Sequence, residues 1–285
     1  MGTAQRIIFL LFSFTLAFGQ RIPQSFFEPV AVTPQQQSRI VELDSISEKS
    51  EEDYQELAFL YAATKSYEQS YELLETLVES RPENFQYQYL LGGVSGIIAS
   101  ELPRVKSLPY VRTMKSAFEA AADLRPNTIE VQLVLLELYA ELPWVLGGSN
   151  KKAQNCIEII KSLSSVEGFL AEGYFYRTIK KNKEALVAYL NAVNETQSCD
   201  FPLNTTNNAY YHLAVCAYYL QKDMPKAACL FSEYLKRHSG GDMYPKSFAT
   251  YYLKKTSNQD SSDPQMEAVL KEYDNLTAWI QNNFK

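Results

Sequence analysis

Two histidines, His212 and His238, are all the imidazole this 285-residue chain carries, and they limit the chemistry open to it. A side-chain nucleophile needs a base beside it, and a catalytic zinc draws three protein ligands, histidine foremost among them. His212 falls among Tyr and Leu in a helical pattern, and His238 closes the basic stretch Lys236-Arg237-His238. Each is read as a satisfied core or helix-end imidazole. No His-x-x-x-His, Cys-x-x-Cys, Gly-x-Ser-x-Gly or Gly-x-x-x-x-Gly-Lys spacing occurs. Glycoside hydrolysis needs only two carboxylates, which no motif excludes, but a helical array offers them no evident pocket. The expectation is a protein without enzymatic activity, bound cofactor or metal.

One further constellation could do chemistry. Residues 147–152 read Gly-Gly-Ser-Asn-Lys-Lys, and glycines ahead of a helix can turn backbone N–H groups toward an anion, here with Lys151 and Lys152 alongside. The same residues have a structural account: Gly147 and Gly148 close one helix in a left-handed conformation and Ser149 caps the next. That account is the expectation.

The elements that would position such residues are helical. Hydrophobic residues make up 46% of the chain, enough for a core, while 11 Gly and 12 Pro are few for a turn-rich β protein of this length. With 27 basic and 33 acidic residues the net charge is -6, which argues against nucleic acid as a partner. Residues 1–20 carry Arg6, an apolar run over 7–18 and a polar exit, the pattern of a cleaved export signal too short to span a bilayer. No other segment reads as a membrane span. Residues 21–50, with Pro23, Pro29, Pro34 and Gln35-Gln36-Gln37, read as an extended leader. The 4 Cys are too few to be the scaffold of an exported chain. Cys216 and Cys229 fall on consecutive helices and could face each other, Cys156 lies on another helix and Cys199 in a loop; buried free thiols are the expectation.

From residue 51 apolar residues recur at spacings of three and four, broken by short polar turns. Residues 52–64 and 67–80 form a helix pair with Tyr54, Leu57, Ala58 and Tyr61 on one face and Ser70, Leu74 and Leu77 on the other, the small Ala58 and Ser70 marking a close crossing. Four more pairs follow. Leu91-Gly92 with Ala117, Phe118 and Ala121 mark the second, its turn enlarged around Pro103 and Pro109. Leu135, Leu136 and Tyr139 with Ala153, Ile157 and Ile160 mark the third, its turn stretched over 142–149. Phe169, Gly173 and Tyr176 with Ala185, Tyr189 and Ala192 mark the fourth. Tyr210, Leu213 and Ala214 with Ala227, Phe231 and Tyr234 mark the fifth. Gly173 is expected to lie against Ala185. Helices near 244–255 and over 264–283 complete the chain, residues 241–285 capping the array.

These residues resemble the tetratricopeptide repeat family over 51–240, most closely in the first and fourth pairs. The resemblance implies an all-α superhelical array of antiparallel helix pairs, an α-solenoid. It also implies that first helices line a concave groove suited to a peptide or protein partner. By that resemblance the groove positions are Gln55, Phe59, Gln86, Tyr89, Tyr174, Arg177, Tyr211 and Tyr218. The family's chaperone-tail binders clamp a terminal carboxylate with Lys and Asn where this chain has Gln55 and Phe59, so that role is not implied. Residues 147–153 also resemble an element of exported bacterial repeat proteins, some of them periplasmic accessories to solute uptake. The leading expectation is therefore an exported, periplasmic or secreted, protein-interaction scaffold; the alternative is a periplasmic solute-binding accessory of a transport system. Residues 51–100 hold 9 acidic and 2 basic residues, and 151–250 hold 12 basic and 9 acidic, a polarity that would orient a charged partner.

Overall fold

The computed structural model describes residues 32–196, 198–199, 207–239, 242–257 and 263–284. The expected export signal lies outside them. The described residues are all-helical, with no strand: α1 (Pro34–Asp44), α2 (Glu51–Ala63), α3 (Tyr67–Ser80), α4 (Phe85–Glu101), α5 (Arg104–Leu124), α6 (Ile129–Glu141), α7 (Asn150–Leu163), α8 (Ser165–Thr178), α9 (Asn182–Glu195), α10 (Asn208–Cys216), α11 (Met224–Arg237), α12 (Lys246–Thr256), α13 (Pro264–Tyr273) and α14 (Asn275–Asn283). They belong to two compact units, one ending at Val131 and the other beginning at Gln132. In the first, α1 through α5 each pack on the next in sequence; in the second, α7 through α14 do the same, and α10 also meets α14. This is the solenoid-like order of helix pairs that the periodicity predicts.

Three short hairpin turns repeat one backbone solution. Lys65, Lys180 and Lys222 have φ of 65°, 61° and 55°, in the left-handed region that reverses the chain at a helix end. In the first two the next residue's N–H closes back five positions, Ser66 to the Tyr61 carbonyl and Lys181 to the Tyr176 carbonyl, each at 2.8 Å. In the third, Asp223 reaches back six, to the Ala217 carbonyl at 3.1 Å, because α10 runs on into a π-helical turn, Ala217–Gln221.

A second type of turn joins one helix pair to the next. Arg81 (φ -136°, ψ 69°) ends α3 and Arg125 (φ -140°, ψ 79°) ends α5, with nearly equal backbone angles. Each donates its N–H four residues back, to Leu77 or Ala121, at 2.9 Å, and each carbonyl accepts from three residues ahead, Asn84 or Thr128, at 3.0 and 3.3 Å. The proline after each arginine cannot extend the helix.

The crossings use small residues. Ser70 donates its hydroxyl to the Ala58 carbonyl at 2.8 Å, both residues fully buried. A Cβ on Gly92 would lie 2.8 Å from the Phe118 ring, and one on Gly173 would lie 2.6 Å from the Tyr189 ring. Gly173 thus makes room for Tyr189, one turn beyond the expected Ala185.

Four expectations are corrected. Residues 34–44 are not extended leader but α1: Thr33 and Gln36 form a capping box, Pro34 stands where a helix tolerates it, and Ile40 and Leu43 bury against Leu57. Pro103 and Pro109 do not enlarge a turn; Pro103 precedes α5 and Pro109 lies within it, so the extra residues lengthen α4 and α5 instead. The last helix is two, broken where Asp274 turns out of line and accepts from the N–H groups of Leu276 and Thr277 at 3.1 and 3.0 Å. Cys229 does not face Cys216; it pairs with Cys199 in a disulfide with Cα atoms 5.9 Å apart, leaving Cys156 and Cys216 as buried free thiols.

Candidate functional site

In the unit ending at Val131 a cleft of about 510 Å³ opens beside the start of α4, lined by Glu51, Arg81, Glu83, Asn84, Phe85, Gln86, Leu124 and Arg125. Its two cations come from the two equivalent turns. Arg81 Nε pairs with Glu51 at 3.2 Å, and the Arg125 guanidinium lies 4.3 Å from the centre of the Phe85 ring. Asn84 caps α4, accepting from Gln86 N–H at 2.9 Å. The Tyr87 hydroxyl lies 3.2 Å from Glu51 Oε1 and 3.1 Å from Gln55 Oε1, tying α4 to α2 beside the cleft. Leu124 is exposed, so the cleft offers charge, amide and a small apolar surface together.

Of the eight expected groove positions, Gln86 lines this cleft and Gln55 supports it through Tyr87. Phe59 and Tyr89 are buried, Tyr89 in edge contact with Phe118 at 5.9 Å between centroids. Tyr211 is wholly buried, stacked 4.0 Å from Tyr244. These three belong to the packing between helices rather than to an open face. Helices in this array are flanked on both sides, so fewer positions remain open than in an isolated pair. Tyr218 is half-buried among tyrosines, 4.9 Å from Tyr219 and 5.4 Å from Tyr252.

Tyr174 and Arg177 are brought together in the other unit, in a half-buried polar cluster. The Tyr174 hydroxyl donates to Glu141, and the Arg177 guanidinium stands 5.4 Å from the Tyr174 ring centre. Burial, reinforced by Glu141, pushes the Glu137 carboxyl well above the usual carboxylate range. Burial opposes charge on Arg177, but Tyr189, Tyr174, Tyr244 and Asp274 outweigh it, so the guanidinium stays protonated. Its Nη1 is buried with no hydrogen-bond partner among the described residues. On the same side Tyr211 donates to Asp274 at 2.8 Å and the His212 Nε2 lies 3.0 Å from the Tyr244 hydroxyl. Burial, with Arg177 adding, drives His212 down to about 3, a neutral core imidazole as the sequence suggests. His238, at the end of α11, has its Nε2 3.0 Å from the Tyr244 carbonyl.

The 147–149 turn follows its structural account except at Gly148, which is not in the left-handed region. Gly147 has φ 93° and closes the short turn Trp144–Leu146 rather than α6 itself, and Ser149 caps α7 by accepting from Lys152 N–H at 3.3 Å. Sequence reasoning missed Arg81 and Arg125. The signal is in the sequence, since Arg-Pro recurs at 81–82 and 125–126, but helical period does not reveal that two such arginines reach one cleft. Among the described residues no helix is long and apolar enough to cross a membrane, and no cluster of His, Cys, Asp and Glu could hold a metal. No known family model matches the chain, and no curated protein sequence does.

Proposed function

We propose that this protein is an exported scaffold of tetratricopeptide type that binds a peptide or protein partner, and that the Arg81–Arg125 cleft is where it does so. The observation that carries the reading is the convergence of two equivalent turn arginines, with Gln86, Phe85 and exposed Leu124, on one open cleft. Arginine over an aromatic ring is a frequent anchor at interfaces, and adjacent amide and apolar surface suit a peptide. The Cys199–Cys229 disulfide supports an oxidising compartment.

The test is retention of a partner from the envelope or secretion fraction by the purified protein, followed by titration. Arg81→Ala with Arg125→Ala should leave helix content and melting nearly unchanged, because both side chains are exposed. Affinity should fall about thirtyfold or more, the loss of a true anchor. A folded double variant that binds as before would sink the cleft reading.

A solute-binding accessory role is the second reading, favoured by the buried Arg177 Nη1 among Tyr174, Glu137 and Glu141. It predicts that a small carboxylate such as succinate raises the melting midpoint, an effect the scaffold reading does not expect.

A further inference from the structure

The turn between α6 and α7 exposes apolar side chains that a folded protein ordinarily covers. Trp144 is 84% exposed and Val145 64%, with Pro143 exposed beside them. The turn is not loose. Leu146 and Gly148 both donate to the Pro143 carbonyl, at 2.9 and 3.1 Å, and Gly147 donates to the Trp144 carbonyl at 3.0 Å. Ser149 N–H reaches the Tyr139 carbonyl at 2.8 Å and ties off the base. A side chain at Gly148 would collide with the Leu142 carbonyl oxygen, 1.7 Å from its Cβ. The backbone is therefore fixed so that the indole and the valine point into solvent.

At the base of the turn Lys151 and Lys152 are both exposed in the first turn of α7, and the Lys152 ammonium lies 5.0 Å from the centre of the Tyr139 ring. Cations at a helix N-terminus stand against the positive end of the dipole, an arrangement that an outside anion relieves. An indole with an aliphatic neighbour, rigidly presented, and two lysines within a few residues of it match the layering of a bilayer surface. The ring seats at headgroup level, the apolar tip reaches the acyl boundary, and the ammonium groups meet the phosphates. A pocket in another protein would also accept an indole, but the paired lysines select an anionic surface.

We propose that the Trp144 turn is a docking finger by which the protein rests on an anionic phospholipid bilayer. The contact is peripheral and reversible, since one indole, one valine and two lysines fall far short of a lipid anchor. It goes beyond the scaffold reading and uses none of the cleft residues.

The chain has only 2 Trp, and the other, Trp279, is half-buried with its indole N–H donating to Asn182 at 3.0 Å. The difference in emission between the full-length protein and Trp144→Phe therefore reports Trp144 alone, separating its insertion from any contact made by residues 1–20. Added phosphatidylcholine vesicles containing phosphatidylglycerol should shift that emission to the blue, and brominated lipid should quench it. Vesicles of phosphatidylcholine alone, or Lys151→Gln with Lys152→Gln on the anionic vesicles, should need about thirtyfold more lipid, about fivefold for each lysine. Soluble glycerol phosphate should shift nothing. An unmoved Trp144 emission on anionic vesicles overturns the proposal, as does a shift equal on neutral lipid. A shift seen only when the partner retained by the cleft is added would mean that the finger docks on protein instead.

Discussion

Gly173 shows how much can rest on a missing side chain. Its place in α8 is set by the Tyr189 ring, which is itself buried and held in edge contact with Trp279 at 5.6 Å. The ring has nowhere to retreat without moving α14. Gly173→Ala should therefore lower stability by about 1–3 kcal/mol, an overpacking cost rather than the gain that Ala usually brings to a helix. Denaturant unfolding measures it, and a variant as stable as the parent would mean that the two helices cross elsewhere. Gly92 against Phe118 repeats the arrangement in the other unit. The sequence revealed the glycine but not its neighbour, because helical spacing places Ala185 and Tyr189 on the same face and small residues suggest small partners. The same ambiguity hid the true state of Phe59, Tyr89 and Tyr211: period marks a face as apolar but does not say which neighbour covers it.

At the scale of elements, helix pairs were legible wherever the turn was short. Residues 67–80 match α3 end to end, with the preceding turn at Lys65 and Ser66. Legibility failed where a cap decided the outcome. Asp274 splits a continuous apolar face into α13 and α14, and the Thr33–Gln36 box starts a helix in a stretch whose prolines suggested none. The disulfide escaped because Cys199 sits in a loop without period, while Cys216 and Cys229 had helical positions to compare. It closes a separation of 30 residues between α9 and α11. In the unfolded, unreduced protein two thiols, Cys156 and Cys216, should react with a thiol reagent. Reducing agent should raise the number to all 4 cysteines and lower stability by about 2–4 kcal/mol. Four reactive thiols without reductant would mean that the bridge does not form.

Across the whole molecule the tyrosines do collectively what no single one does. Of the 20, Tyr174, Tyr211, Tyr244 and Tyr252 are buried enough that their hydroxyls are pushed well above the usual phenol range. Unfolded tyrosine ionises near pH ~10. A folded-state value raised above that makes a contribution fully present below about pH 10 and lost as pH climbs past it, because only the unfolded chain can then release the protons. Phenolate absorbance should therefore appear as a cooperative step that coincides with loss of helical circular dichroism. A gradual titration of the full complement in a still-helical protein would show those rings to be accessible. One consequence of the paired arginine turns lies outside stability altogether. Since the chain enters residue 82 and residue 126 through the same backbone bend, the stretch between them begins and ends on interchangeable joints. A gene could copy or delete that stretch without inventing a new connection: removal of residues 82–125 would join Arg81 to Pro126 through the same bend.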